Sequence, residues 1–342
     1  MTVSAQLAAG RTAPRRGPGA PRVAVCAATA AACVPYLGLK IAWLSGSTVG
    51  WNDPEAAENS VLYVGNAITM VMDAVAVLVA CAFTFPWGRR VPAWLVLPPI
   101  WIATGLLAPI ALAVPLGTLV QSVVSAEPVT GSQNGLQGWV YGIVYTGFTL
   151  QGIGLLTAFV LDARTRWPEV FAVRTADVPP GPTHRLQVLL ARGATVPAAV
   201  CAAAHLFWAF GGTAGLPHDQ AVDRTAPQQI VDGAWGLLAL AGAAGLLALT
   251  GRARRPSRLV VPLAAAWAGA GATFAWSLYG LIVMLAASTA LGADSSPASG
   301  LVALGGVLTG LVMALTGAFL LAELGAARRA AQRARPMASS TP

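Results

Sequence analysis

One acidic residue interrupts the apolar run NAITMVMDAVAVL: Asp73. A carboxylate in the middle of a membrane-length segment costs several kcal/mol unless it is paired, protonated or hydrated, so its presence marks a functional candidate. Asp73 is therefore the catalytic candidate and the centre of a ligand site. Asn66 stands seven residues earlier with Thr69 and Met70 between them, which places these polar groups on roughly one helical face. That face must point into a bundle, because lipid cannot satisfy it. Tyr141 and Tyr145 are four apart in a later run, Thr149 follows at the same spacing and Gln151 is close by. Lys40, the only lysine of the chain, precedes the end of the first apolar run by one to two turns. It has two readings: a ligand contact, or a side chain snorkelling outward to Asp53, Glu55 or Glu58. At 1.5 Å per residue Lys40 and Asp73 differ in depth by roughly 10 Å. Asp73 is therefore expected to be mostly neutral and hydrogen-bonded, with Asn66 or a tyrosine of the fourth run nearby, rather than held by Lys40.

His205 lies in AAAHLFWAFGGTAGLPHD, a stretch with a counterpart in GLKIAWLSGSTVGWND at residues 38–53. A lone histidine of this kind is a hydrogen-bonded structural group or a ligand contact. No second histidine sits at matching depth, so a bis-histidine haem is not expected, and no metal is expected. Trp43 and Trp208 close the two stretches at the membrane interface, where the ring is apolar and the N–H reaches water. With Lys40, Asn66, Asp73, Tyr141, Tyr145 and His205 they complete the candidate ligand-binding set.

The elements that carry these residues follow from composition. Of 342 residues 56% are hydrophobic and 10% charged, with mean hydropathy +0.66. Soluble domains carry roughly 25% charged residues. The composition thus points to an all-α membrane protein, with about 20 apolar residues per crossing. Eight runs qualify: about 23–45, 60–86, 92–115, 137–161, 187–210, 231–250, 259–289 and 300–323. The net charge of +8 is no sign of a nucleic-acid partner, because most of the arginines fall in short clusters between the runs. Arg11, Arg15, Arg16 and Arg22, then Arg89 and Arg90, then Arg164, Arg166, Arg174 and Arg185 lie on one side. Arg252, Arg254, Arg255 and Arg258 and the tail Arg328, Arg329, Arg333 and Arg335 join them. The opposite loops hold Asp53, Glu55, Glu58, Glu127, Asp219, Asp223 and Asp294 against a single Arg224. By the positive-inside rule both termini are cytoplasmic and the protein is multi-pass in the plasma membrane. Cys26, Cys33, Cys81 and Cys201 all fall inside runs without a C-x-x-C spacing, so they read as small packing residues rather than a redox pair.

The two similar stretches belong to a longer pattern. Trp43 meets Trp208, Gly46 meets Gly211, Gly50 meets Gly215 and Lys40 meets His205. Further on, Pro92 meets Pro256, Pro98 meets Pro262, Gly105 meets Gly269, Thr146 meets Thr309 and Gly154 meets Gly317. The pattern reads as a tandem duplication of a four-helix unit. Four spans return the chain to its starting side, so the halves should relate by an axis along the membrane normal. The expected organisation is a basic, unstructured tail at 1–21, one unit at 22–161, a solvated cytoplasmic linker at 162–186, a second unit at 187–325 and a basic, unstructured tail at 326–342.

The stretch His205-Leu-Phe-Trp-Ala-Phe-Gly-Gly-Thr-Ala-Gly resembles the signature His-x-x-Trp-Ala-x-Gly-Gly-x-x-Gly of a family of small four-helix bacterial membrane proteins of unknown function. The first half departs from it, with Lys40 at the histidine and Ser47 at the second glycine. The resemblance implies a fold and no activity. No cofactor is expected, and the expected partners are the bilayer and a small apolar or lipidic ligand. The first functional reading is binding or transport of such a molecule near the centre of the first bundle. An alternative is a membrane enzyme using Asp73 as general acid on a prenyl-type chain, with Trp94, Trp101, Tyr141 and Tyr145 stabilising cations. A structural or assembly subunit is the third.

Overall fold

A computed structural model describes residues 19–54, 60–124, 136–222, 224, 226–251, 257–290 and 296–338. Residues 1–18 of the N-terminal tail, the loop acids Glu55, Glu58, Glu127, Asp223 and Asp294, the arginines at 252, 254 and 255 and the end of the C-terminal tail lie outside the described residues. Eight long helices dominate: α1 (Ala20–Leu44), α2 (Ser60–Thr84), α3 (Ala93–Val124), α4 (Gly138–Arg166), α5 (His184–Ala209), α6 (Ala226–Gly251), α7 (Val260–Ala290) and α8 (Pro297–Ala338). All eight are long and apolar enough to cross a membrane. Among the described residues there is no strand, only two isolated bridges. The chain is an all-α, multi-pass membrane protein.

Two bundles form. In the first, α1 packs on α2 and α4, and α3 packs on α4; in the second, α5 packs on α6 and α8, and α7 packs on α6 and α8. The bundles meet where α3 packs along α7 and α6. This seam is built from small residues and indole donors. Trp101 Nε1 donates to the Trp267 carbonyl at 3.2 Å, and Trp276 Nε1 returns a bond to the Leu106 carbonyl at 3.0 Å. Gly105 faces the Gly271 backbone so closely that no side chain fits between them. Such close backbone approach is how helices associate where lipid removes the hydrophobic drive.

The two tryptophan-glycine stretches fold into the same helix end. Trp43 Nε1 donates to the Val49 carbonyl at 2.8 Å, and Trp208 Nε1 to the Ala214 carbonyl at 3.0 Å. Ser47 N bonds the Ala42 carbonyl and Gly212 N the Phe207 carbonyl, both at 2.9 Å. Gly46, Gly50, Gly211 and Gly215 all have positive φ, between 81° and 90°. The left-handed backbone ends each helix by satisfying its last carbonyls. Gly50 then accepts from Gln137 N at 2.7 Å, and Gly215 from Ser296 Oγ at 2.6 Å. In both bundles the turn after the first helix is thus tied to the start of the fourth.

These glycines are not equivalent to substitution. At Gly46 an added Cβ meets nothing within 4 Å, whereas at Gly50 it lies 2.5 Å from Val140 Cγ2. Gly46→Ala is expected to cost only the left-handed penalty, about 1–2 kcal/mol. Gly50→Ala adds a clash and should lower the thermal midpoint in detergent clearly more than Gly46→Ala; equal midpoints would contradict this.

On the opposite face the segment read as a solvated linker is folded. α4 continues to Arg166, and short helical turns follow at Pro168–Ala172 and Thr175–Asp177. Thr175 is buried, its N–H donates to the Ser257 carbonyl at 2.9 Å, and Leu259 N donates to the Val173 carbonyl at 2.9 Å. Glu323 accepts from the Thr183 N–H and hydroxyl, both at 2.6 Å, and from Gln187 Nε2 at 3.0 Å. It thereby binds the residue just before α5, where anions are favoured. α8 continues to Ala338, into the stretch read as a tail.

Candidate functional site

The side chains of Lys40 and Asp73 meet inside the first bundle. Lys40 Nζ lies 2.6 Å from Asp73 Oδ2, with side-chain exposures of 0% and 7%. This overturns the expectation that depth keeps them apart. Lys40 lies four residues before the end of α1 and Asp73 near the middle of α2. Cα–Cβ bonds tilt toward a helix N-terminus, so on antiparallel α1 and α2 the two side chains lean toward each other, which shortens the difference in depth.

Two further groups complete the arrangement. Gln151 of α4, 4% exposed, donates from Nε2 to Asp73 Oδ1 at 3.4 Å. Tyr36, one turn before Lys40, lies under the ammonium with its ring centroid 3.9 Å from Nζ. The carboxylate is thus held on one oxygen by an ammonium and on the other by an amide, and the ammonium rests on an aromatic face. The positions assigned in sequence to Asn66 or a tyrosine of the fourth span are taken by Lys40 and Gln151. Asn66 lies two turns away along α2.

Around the pair the phenols gather. Tyr141 and Tyr145 stack with centroids 6.2 Å apart, and Tyr36 meets Phe148 edge-on at 5.2 Å. Tyr279 of α7 is close enough to interact electrostatically with both Tyr36 and Tyr145. Tyr145 and Tyr279 are 43% and 49% exposed, whereas the Lys40–Asp73 pair, with Tyr36 against it, is closed. Gln151 was visible in sequence only as a nearby amide, and Tyr36 only as an i−4 neighbour of the lone lysine. Tyr279 gave no signal, because its proximity arises from packing between bundles.

The second bundle carries its own pair. His205 Nδ1 lies 2.7 Å from Asp232 Oδ1, and Arg224 Nη2 bonds the other oxygen of the same carboxylate. The imidazole stacks on Trp235 at 3.9 Å and meets Trp208 edge-on at 4.9 Å. In each bundle, then, a basic residue near the end of the first helix meets an aspartate of the second. At the offset that pairs Lys40 with His205, Asp232 corresponds to Ala67, six residues and about 9 Å from Asp73. Asp232 sits nearer its helix end than Asp73 does, and the side chains of His205 and Asp232 remain 20% and 18% exposed. Trp43 and Trp208 are occupied by their turns, and Trp43 also meets Trp51 at 5.8 Å.

Among the described residues no group of three or more His, Cys, Asp or Glu side chains forms a metal site. Trp94, assigned with Trp101 to an aromatic cage, is 72% exposed, while Trp101 stacks on Phe274 in the seam at 5.2 Å. They do not join Tyr141 and Tyr145 in one cage. Comparison of the chain with known protein families, with characterised proteins and with solved structures gives no match.

Proposed function

We propose that this protein binds a small or lipidic molecule within the membrane and transports it, with the site in the first bundle around Asp73 and Lys40. The observation that carries this reading is the buried Lys40–Asp73 pair, with the ring of Tyr36 against the ammonium. A packed apolar contact would serve a purely structural bundle at lower cost, because desolvating two charges offsets much of their attraction. Intramembrane ion pairs of this kind mark substrate and ion pathways. A ligand approaching from the lipid phase would meet Tyr145 and Tyr279 first. A polar head could then compete with Asp73 for Lys40, or with Lys40 for Asp73. Asn66 and Tyr141 would line the approach, while His205, Trp43 and Trp208 belong to the second ion pair and the helix-end turns.

The ion pair disfavours acid catalysis on a prenyl-type chain. A carboxylate bound to an ammonium at 2.6 Å is a poor proton donor. The paired helix ends and matching bundle contacts support a tandem duplication of a four-helix unit. The arginine distribution supports cytoplasmic termini in the plasma membrane. For sidedness, an impermeant maleimide applied to intact cells should modify Asp53→Cys and spare Arg174→Cys; the reverse pattern would invert the topology.

The binding reading is tested by extracting small molecules from protein purified out of its native membrane. One lipidic or small organic species should co-purify with the wild type and fall at least tenfold in the Tyr145→Ala/Tyr279→Ala variant. Equal content in the two proteins would remove the tyrosine face from the site.

A further inference from the structure

We propose that Cys26 and Cys81 form a redox-responsive thiol pair, which a hydroperoxide converts to a disulfide that clamps α1 to α2. Their sulfurs lie 3.7 Å apart across the two helices. The other two thiols behave differently. Cys33 donates to the Thr29 carbonyl at 3.3 Å and Cys201 to the Val302 carbonyl at 3.8 Å, each turned to a backbone acceptor. All four cysteines are free.

The placement suits the chemistry. Cys26 is six residues from the start of α1 and Cys81 three from the end of α2, about 9 Å and 5 Å along their axes. Both therefore sit near one end of the bundle, within reach of the aqueous rim. Cys26 is 6% exposed in a shell with Ala76, Val79, Ala80 and Phe83, whereas Cys81 is only partly buried. A small uncharged peroxide reaches Cys81 first, and Cys26 is then the resolving thiol. The sulfurs, 3.7 Å apart, would have to close by about 1.7 Å to reach the roughly 2.05 Å of a disulfide.

The reaction balances in two steps. The Cys81 thiolate attacks one oxygen of hydrogen peroxide, the O–O bond breaks, and the departing hydroxide takes a proton to become water. Cys81 is then a sulfenic acid. Cys26 sulfur attacks that sulfur, the S–O bond breaks, and a second water leaves with the Cys26 proton. Two electrons pass from the thiols to the peroxide, and one S–S bond forms. The same helices are also held by Lys40 and Asp73, near the far end of α1 and the middle of α2, so the disulfide adds a second cross-link toward the opposite end of their contact.

The test uses the full chain in detergent. The protein is treated with hydrogen peroxide at pH 8.5, where more thiolate is present, then quenched, unfolded and labelled with a polyethylene-glycol maleimide. Two of the four thiols should be lost, dithiothreitol should restore them, and peptide mass spectrometry should find the Cys26–Cys81 link. The Cys33→Ser/Cys201→Ser variant should behave likewise, and Cys26→Ser and Cys81→Ser should each form no intramolecular disulfide. Four free thiols after prolonged oxidation, or a disulfide that uses Cys33, Cys201 or a second molecule, would overturn the proposal. The wild-type measurement decides this even if a serine variant fails to fold.

Discussion

Lys40→Met should unfold at a markedly lower temperature than the wild type, because it leaves the Asp73 carboxylate buried with Gln151 as its remaining partner. Removing one member of a buried ion pair typically costs about 3–5 kcal/mol. Asp73→Asn should be destabilised for the mirror reason, a buried ammonium left without a counter-charge beside the face of Tyr36. The double variant Lys40→Met/Asp73→Asn has no uncompensated charge, and its amide oxygen can still accept from Gln151. Most of the lost stability should return in it. This separates structure from function. If the pair serves transport, the double variant folds yet loses its co-purified ligand and any cellular phenotype. If ligand and phenotype survive, the pair is a tie between helices and the transport reading loses its main support. An unchanged midpoint in Lys40→Met would mean that the buried contact itself adds nothing to stability.

Gly105→Val should separate the bundles. A Cβ at Gly105 would lie 2.2 Å from the Gly271 carbonyl oxygen and 2.3 Å from its carbon, with backbone on both sides and no flexible side chain to yield. Overpacking a core ordinarily costs about 1–3 kcal/mol. Here the cost should reach or exceed the top of that range, since α3 and α7 must move apart. That movement would also break the reciprocal indole bonds of Trp101 and Trp276. Gly142→Val on α4 is the control, because a Cβ there meets nothing within 4 Å. Comparable thermal midpoints for Gly105→Val and Gly142→Val in detergent would show that the seam tolerates the wedge.

The amino-acid sequence by itself determined the class of this protein and the number of its long helices. The reason is solvent: apolar segments of about 20 residues have one way to satisfy their backbone in lipid. The eight helices accordingly fall close to the expected runs, although α3 and α8 extend well beyond them. The matched turns were also legible, because glycine at the two left-handed positions and tryptophan three residues before the first are requirements of local backbone geometry. Asp73 could be singled out because burying a charge is costly whatever surrounds it.

Only the tertiary structure decided what Asp73 touches. Counting residues along separate helices gives depth but omits the tilt of side chains toward helix N-termini. By that count Lys40 is out of reach, yet the two groups are 2.6 Å apart. Spacing likewise reports nothing about partners on distant segments. Cys26 and Cys81 are 55 residues apart, Thr183 and Glu323 140 apart, and Tyr145 and Tyr279 lie in different bundles. Their juxtaposition depends on which helix faces meet and how closely. That is set by the small residues of the seam and by buried polar groups, each of which must find a partner in a medium that supplies none.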